Sequence, residues 1–431
     1  MRQEPWSMIA MVAAMVAATA SPEVASAQKQ NAGLAPLSFA GLSLQQAQDD
    51  AVAQSPDVAT ARARVTAAQQ SLGAAKAGFG PSLVAQYALN PQAGALPNTT
   101  VTQTAFNLGV QATLLAFAQY LPLLYQAEAV ERGANADEVI AERAERIKVS
   151  GQYFAALKAS AALGAREETL ALATAQLEAA RKRYKAGDAP RIDVIRAQVA
   201  LSQALAARED AQAADDNALQ ALSLETSVPV AALTAATPVQ QASTAGPLAD
   251  PQAAVRRALA ARAELTSARE NVASASSALG AARVAALPAI TVSAGYEHGT
   301  DVGQYVQGPT INASFELPFN GSQSAHVSDA TAALAIAREQ LRSQERQVTL
   351  EVSAAVRDLQ AATRVEAAST SARQAAEEEL NATQIGYRAG STSSLERAAA
   401  GATYADARLA ELSAIYDEEL ARATVELELG P

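Results

Sequence analysis

Lys182-Arg183-Tyr184-Lys185-Ala186-Gly187 ends a long proline-free stretch of the chain, and Gln384-Ile385-Gly386-Tyr387-Arg388-Ala389-Gly390 ends another, 203 residues later. Upstream, residues 57–81 match residues 264–288 at an offset of 207, through an acidic residue, an Arg, a Val, a Leu-Gly-Ala-Ala run and a Pro. Two different landmarks that repeat in the same order at nearly the same spacing indicate an internal duplication. We therefore expect a fold built from two similar halves.

The start of the chain predicts export. A short apolar run follows Arg2, and Ala25-Ser26-Ala27 forms an Ala-x-Ala cleavage site, so residues 1–27 are predicted to be a signal peptide, with the mature chain starting at Gln28. The alternative is an uncleaved membrane anchor. It is disfavoured because the run is shorter than the roughly 20 apolar residues that span a bilayer.

The composition argues against several classes of function. The chain has no cysteine, which excludes disulfides, thiolate metal sites and a cysteine nucleophile. Its net charge of -11, with both signs scattered, disfavours nucleic acid as a partner. The histidines, His298 and His326, are isolated, and the sequence shows no phosphate-binding glycine loop. We therefore predict no enzyme and no cofactor.

The first repeat, residues 28–225, has a clear order of elements. A helix from about Ser43 is interrupted at Ser55-Pro56 and ends near residue 78, and alternating stretches then predict strands at about 82–90 and 104–114. A helix from Leu123 to Lys185 turns at 184–190 and returns over 191–224. A heptad seam is predicted on the long helix at Ile140, Ala144, Ile147, Gly151 and Phe154.

The second repeat, residues 252–431, follows a connector at 226–251 that is rich in Pro, Ser and Thr. One helix is predicted to about residue 286, then strands at about 289–297 and 310–317, then a long helical hairpin turning at 387–393. About 60 helical residues at about 1.5 Å each reach roughly 90 Å, which exceeds an ordinary domain. An aromatic content of only 4% also favours long helices in close contact over one thick core.

The strands have one apolar and one polar face, as transmembrane barrel strands have. The alternative is a soluble sheet whose polar face meets water; the export signal and the long helices favour the membrane. Four strands cannot close a barrel, and hydrocarbon does not tolerate an open sheet edge. Several copies must therefore share one barrel, and strand number alone permits a dimer, a trimer or a tetramer.

These residues resemble a known family, the TolC-like outer-membrane efflux proteins. The resemblance rests on Leu44, Ala47, Ser55-Pro56-Asp57, Pro81, the turn from Arg183 to Gly187, Ile192-Asp193-Val194, Ala197-Gln198, and Phe315-Glu316-Leu317-Pro318-Phe319-Asn320-Gly321. It covers the mature chain in order and implies a mainly α fold with a β-barrel portion. In such a fold a homotrimer forms a 12-stranded outer-membrane barrel, four strands from each copy, continued by an α-helical tunnel in the periplasm.

The resemblance also implies a function and its partners. The chain would be the outer-membrane exit duct of a tripartite efflux or type I secretion system. It would passively conduct substrates that a periplasmic adaptor and an inner-membrane transporter deliver. Drugs, metal ions, peptides and secreted proteins are all compatible with the sequence as substrates. The rival hypotheses are an exported coiled-coil structural or adhesive protein, and a periplasmic enzyme on a helical scaffold.

The site residues are carried over from the family by position. The adaptor is expected to dock at Tyr184, Gly187, Tyr387 and Gly390, and the periplasmic gate is expected to involve Asp193, Tyr387 and Glu396. The plainer alternatives are helix-capping glycines, a carboxylate at a helix start for Asp193, and a solvated helix face for Glu396. Thr392 departs from the family, since some relatives carry a gating arginine there. Leu114-Leu115-Ala116-Phe117 replaces the expected proline-containing strand end.

Overall fold

The computed structural model describes residues 42–78, 82–93, 100–113, 116–227, 229, 250–285, 287, 289–301, 304–316 and 322–430. The predicted signal peptide and most of the predicted connector lie outside these residues. The described elements are, in chain order, α1 (Leu44–Gln54), α2 (Pro56–Ala77), β1 (Ser82–Ala93), β2 (Thr100–Thr113), α3 (Ala116–Ala186), α4 (Arg191–Thr226), α5 (Pro251–Ala261), α6 (Ala263–Ala285), β3 (Ala289–Asp301), β4 (Gln304–Glu316), α7 (Ser322–Arg388) and α8 (Ser394–Leu429).

The duplicated order of helix, two strands and long helical hairpin is confirmed. Helices α3 and α7 have 71 and 67 residues, which at about 1.5 Å per residue makes each about 100 Å long. In the part of the chain that the structure describes, no helix is apolar enough over a sufficient length to cross a membrane.

The long helix of the first repeat begins earlier than predicted. It starts at Ala116 rather than Leu123 and carries Pro122 inside it. Proline removes one backbone hydrogen bond and usually kinks or ends a helix. Here its ring packs against α6, where a Cβ built on Gly280 would lie 3.6 Å from the Pro122 Cβ. Tertiary packing thus accommodates a residue that the sequence alone marks as a boundary.

The short helices are interrupted once in each repeat. Ser55 lies between α1 and α2 with φ -61° and ψ 125°, and its hydroxyl accepts a hydrogen bond from the N–H of Val58 at 3.5 Å. Arg262, 207 residues later, lies between α5 and α6 with φ -67° and ψ 131°. The prediction of one continuous helix to about residue 286 is therefore wrong. No proline marks the second break, and the residue that occupies it is a buried arginine.

A buried charge network surrounds Arg262, whose side chain is fully buried. Its guanidinium lies 3.2 Å from the carboxylates of Glu264 and Glu351 and 2.6 Å from that of Glu428. Arg143 of α3 also donates to Glu264, with one bond of 3.0 Å. The network joins four helices from both repeats. Removing one member of such a network leaves an uncompensated charge, which is strongly destabilising.

Each repeat has its own apolar core. In the first repeat α1 packs on α3 and α4 through Ala47, Ala51, Val149, Tyr153 and Leu222. In the second repeat α5, α6, α7 and α8 pack through residues that include Ala254, Leu265, Val352 and Val425. Small residues on the short helices permit close approach.

The buried face of α3 differs from the predicted heptad seam. Of its five members only Phe154 is buried, whereas Glu145, Val149, Tyr153 and Ala156 form the buried stripe. The difference arises because α1 packs against the face of α3 that carries Val149. A heptad pattern in one helix does not indicate which of its faces a third helix covers.

The strands form one antiparallel sheet in the order β1-β2-β3-β4. Leu83 is opposite Val110, Leu108 is opposite Tyr296 and Ala294 is opposite Ile311, so the large apolar side chains share one face. That face is open, with Leu83 76% and Ile311 79% exposed. Asn107 and Ser293 lie on the other face, as the alternation predicted. All four strands extend beyond their predicted bounds at one end, and β1 includes Pro91.

Candidate functional site at the turns of the long hairpins

The two long hairpins turn through the same motif. Gly187 has φ 85° and Gly390 has φ 77°, a left-handed conformation that glycine adopts without steric cost. In the first turn the N–H of Gly187 donates to the carbonyl of Tyr184 at 3.1 Å, and the N–H of Asp188 donates to Arg183 at 2.9 Å. These two bonds define a Schellman motif, which satisfies the last carbonyls of a helix.

The second turn repeats these bonds. The N–H of Gly390 donates to Tyr387 at 3.2 Å, and that of Ser391 donates to Gly386 at 2.8 Å. The predicted turn positions are therefore confirmed as helix caps. A Cβ added at either Gly187 or Gly390 meets no atom of the described residues within 4 Å, so these residues leave the space around both glycines open. Their predicted role in docking remains a prediction.

The turns differ at the position that precedes each tyrosine. Arg183 stands there in the first repeat and Gly386 in the second. A Cβ on Gly386 would lie 2.1 Å from the Oγ1 of Thr392, so only glycine leaves room for that side chain. The Thr392 hydroxyl donates to the carbonyl of Thr383 at 3.4 Å. Thr392 thus makes a hydrogen bond within its own turn, at the position where some relatives carry a gating arginine.

The Tyr387 ring lies between two guanidinium groups. The Cζ of Arg397, in the first turn of α8, lies 4.2 Å from the ring centroid, and the Cζ of Arg183, at the end of α3, lies 5.2 Å from it. Arg183 also donates a hydrogen bond to the Tyr387 hydroxyl. Cation–π attraction favours both positions. These contacts join the first hairpin to the second at their turns.

A cavity of about 280 Å³ lies between the ends of α3, α4, α7 and α8. Its lining includes the predicted gate residues Asp193 and Tyr387, together with Arg183, Arg196 and Arg397. The structure thus brings two of the predicted gate residues to one cavity, and their gate role remains a prediction. Sequence reasoning missed the arginines, because the contact between Arg183 and Tyr387 joins residues 204 apart in the chain. The only available signal was the basic run that precedes Gly187.

Glu396 faces the start of its own helix. Its carboxylate accepts the backbone N–H of Ser393 at 2.7 Å, and its own N–H donates to the Ser393 hydroxyl at 3.1 Å. This reciprocal pair is a capping box, which supplies partners for two N–H groups at a helix start. The side chain is also exposed, so the capping box agrees with the solvated helix face given as the plainer alternative. The gate role of Glu396 remains a prediction.

Ion pairs continue along the hairpins above the cavity. Lys158 of α3 lies 2.7 Å from Asp417 of α8, Arg166 lies 3.9 Å from Asp406, and Glu168 pairs with Arg408. Their partly exposed positions limit each pair to roughly 1 kcal/mol or less. Their effect is to fix the register of α3 against α8, which sets where the turns meet.

The architecture and the alternating sheet define an outer-membrane channel subunit, and a family model agrees. The model described as outer membrane efflux protein matches residues 47–225 and 254–430, one segment in each repeat. The chain therefore belongs to the outer membrane efflux protein family. The predicted resemblance to this family and the predicted location in the outer membrane are confirmed. No curated protein shows a significant sequence match to the chain.

Solved structures of bacterial channels share the fold. A membrane protein from Pseudomonas aeruginosa superposes with a TM-score of 0.78 at 19% identity, over 90% of each chain. The CmeC outer membrane channel of Campylobacter jejuni gives 0.75 at 15% identity, over 90% of this chain and 85% of that one. The outer membrane protein VceC of Vibrio cholerae gives 0.73 at 19% identity, over 90% and 96%.

Proposed function

We propose that three copies of the chain form a gated exit duct for a tripartite efflux or type I secretion system. Three four-stranded sheets close one twelve-stranded barrel, and the long hairpins continue it as a tunnel in the periplasm. A periplasmic adaptor binds the turns, and an inner-membrane transporter supplies the substrate. Conduction through the duct is passive, because the energy is spent at the inner membrane.

The observation that carries this proposal is the sheet. Its apolar face is exposed and its polar face is the opposite one, the reverse of a sheet that packs on a soluble core. In lipid the same arrangement is favourable, because apolar side chains face hydrocarbon and polar ones face a lumen. Among the described residues of one copy, the outer strands β1 and β4 each pair with one strand only. Hydrocarbon requires those edges to be paired, so neighbouring copies supply the partners.

The coiled-coil structural hypothesis explains less. It accounts for the long helices α3 and α7. It does not explain why two β-hairpins place their large apolar side chains on one exposed face. The resting state of the proposed duct is held closed by contacts between hairpins at the turns, and an adaptor that prefers the open form shifts the population toward it.

The experiment that tests the proposal uses the mature chain purified in detergent. A particle of three chains, a band whose migration changes on heating, and discrete conductance steps in planar bilayers are expected. A water-soluble monomer that needs no detergent would contradict the proposal, as would trimers that never conduct. Deleting the gene and measuring sensitivity to a panel of toxic compounds then identifies the substrate class.

A further inference from the structure

The turns are basic in an otherwise acidic protein. The whole chain has a net charge of -11. The windows from six residues before to ten residues after Gly187 and Gly390, 181–197 and 384–400, contain eight Lys and Arg against three Asp and Glu, which gives +5. A charged patch of one sign attracts and orients a partner of the opposite sign. The end that carries the turns is thus suited to an acidic partner.

Within this patch, the cavity between the hairpins concentrates the positive charge. Arg183, Arg196 and Arg397 line it, and Asp193, which has an interaction within the protein, is the one acidic residue among its lining residues in the described part of the chain. The Nε of Arg397 is buried and has no hydrogen-bond partner among the residues that the structure describes. A buried donor without a partner is costly, and a ligand oxygen would remove that cost.

Tyr387 holds two of these arginines in place before any ligand arrives. Its ring contacts the guanidinium groups of Arg183 and Arg397, so their side chains have already lost conformational freedom. Preorganised groups bind a ligand more tightly, because less ordering remains to be done on binding. Planar guanidinium groups match the two oxygens of a carboxylate.

We propose that this cavity is a receptor for a carboxylate side chain, a Glu or Asp carried by the helical partner that docks at the turns. The inference rests on the proposed function, since it assumes that a protein docks there, and it adds the chemistry of recognition. A volume of about 280 Å³ is enough for one acidic side chain, since a liquid water molecule takes about 30 Å³. Specificity comes from the arginines in the cavity, and the surrounding lysines supply only long-range attraction.

The test measures binding of a labelled helical peptide with three glutamates on one face to trimers in detergent, by fluorescence anisotropy. The same peptide with glutamines in their place is the ligand control. The variant Arg183→Gln with Arg397→Gln removes two charges from the cavity. The variant Lys182→Gln with Lys185→Gln removes two charges from the same turn, at exposed residues outside the cavity lining.

The cavity variant is expected to weaken glutamate-peptide binding at least tenfold, and the lysine variant less than threefold. Equal weakening by the two variants would overturn the proposal, since binding would then follow net charge alone. Equal binding of the glutamine peptide, or no binding of the glutamate peptide, would overturn it too. The particle mass and conductance of the same wild-type preparation separate this failure from failure of the duct itself.

Discussion

At the scale of single residues, the contact that most constrains the turns is Tyr387 between two guanidinium groups. Each cation–π contact at a partly exposed site contributes about 0.5–1 kcal/mol, and the hydrogen bond from Arg183 contributes about 1 kcal/mol more. Together they amount to about 2–3 kcal/mol between the hairpins. In the gated duct that we propose, this free energy is enough to keep the closed arrangement dominant, and small enough for a binding partner to overcome.

Graded substitution of Tyr387 tests this contact. Tyr387→Phe removes the hydrogen bond but keeps the ring, and Tyr387→Ala removes both. We expect the conductance of resting channels in planar bilayers to rise for Phe and to rise further for Ala. Combining Tyr387→Phe with Asp193→Ala should also raise it. The control is Tyr184→Ala, the exposed equivalent in the first repeat. Unchanged conductance in all Tyr387 variants would remove the gate assignment.

Glu264 makes stability depend on pH. Burial alone would raise the pKa of its carboxyl, but the hydrogen bond from Arg143, a backbone hydrogen bond, and the charges of Arg143 and Arg262 together outweigh burial and lower the pKa. A lowered folded-state pKa means that Glu264 stabilises the fold above its unfolded pKa of about 4.3. That stabilisation is lost as the pH falls through the lower folded value.

The substitution Glu264→Gln is therefore expected to destabilise the protein by about 3 kcal/mol at pH 7, since it leaves buried arginine charge unpaired. The difference from wild type should shrink below about pH 4. Thermal unfolding followed by circular dichroism across pH measures both. The matched control is Glu138→Gln, whose ion pair with Arg62 is more exposed, and it should cost less than about 1 kcal/mol. Equal destabilisation by the two substitutions at pH 7 would show that the buried network contributes no more to stability than an exposed ion pair does.

At the scale of elements, the sequence predicted what local patterns determine. Absence of proline predicted the long helices, alternation predicted the strands, and glycine after a basic run predicted the turns. The predictions that failed are those that depend on tertiary contacts. Pro122 is held inside α3 by packing on Gly280, and the break at Arg262 is stabilised by carboxylates from three helices. The buried stripe of α3 differs from the predicted heptad seam because α1 covers a different face of the helix.

The turn glycines give a prediction at this scale. Gly187→Leu places bulk in open space and costs roughly 1–2 kcal/mol of left-handed strain at one residue, so trimers should still assemble. If an adaptor docks at the turn, efflux measured as resistance to toxic compounds should fall. Gly187→Asn, which tolerates this conformation, should impair efflux less. Gly164→Leu adds the same bulk inside α3 and is the control. Normal efflux with Gly187→Leu would argue against docking at this turn.

At the scale of the whole molecule, the candidate site was only partly predictable. Tyr387 and Asp193 came from position in a family pattern, whereas Arg183 and Arg397 became visible only when both hairpins were in place. The sheet shows the opposite case. Its two faces could be assigned from alternation alone, because a side-chain period of two residues leaves no freedom once the strands are in register. The environment of those faces decides the function of the molecule.

Charge placed on either face of the sheet distinguishes lipid from water. Leu108 is on the exposed apolar face, and Ser293, on the neighbouring strand, is on the polar face. In a barrel, Leu108→Arg puts a charge in hydrocarbon and costs about 2–4 kcal/mol near the bilayer midplane. Its trimers should therefore insert poorly and lose heat-modifiable migration. Ser293→Arg should insert normally and shift the channel toward anions, measured as a reversal potential across a salt gradient. In a water-soluble sheet Leu108→Arg would not impair assembly more than Ser293→Arg does, because an arginine in place of an exposed leucine costs almost nothing. Normal assembly of the Leu108→Arg protein would therefore place this face in water.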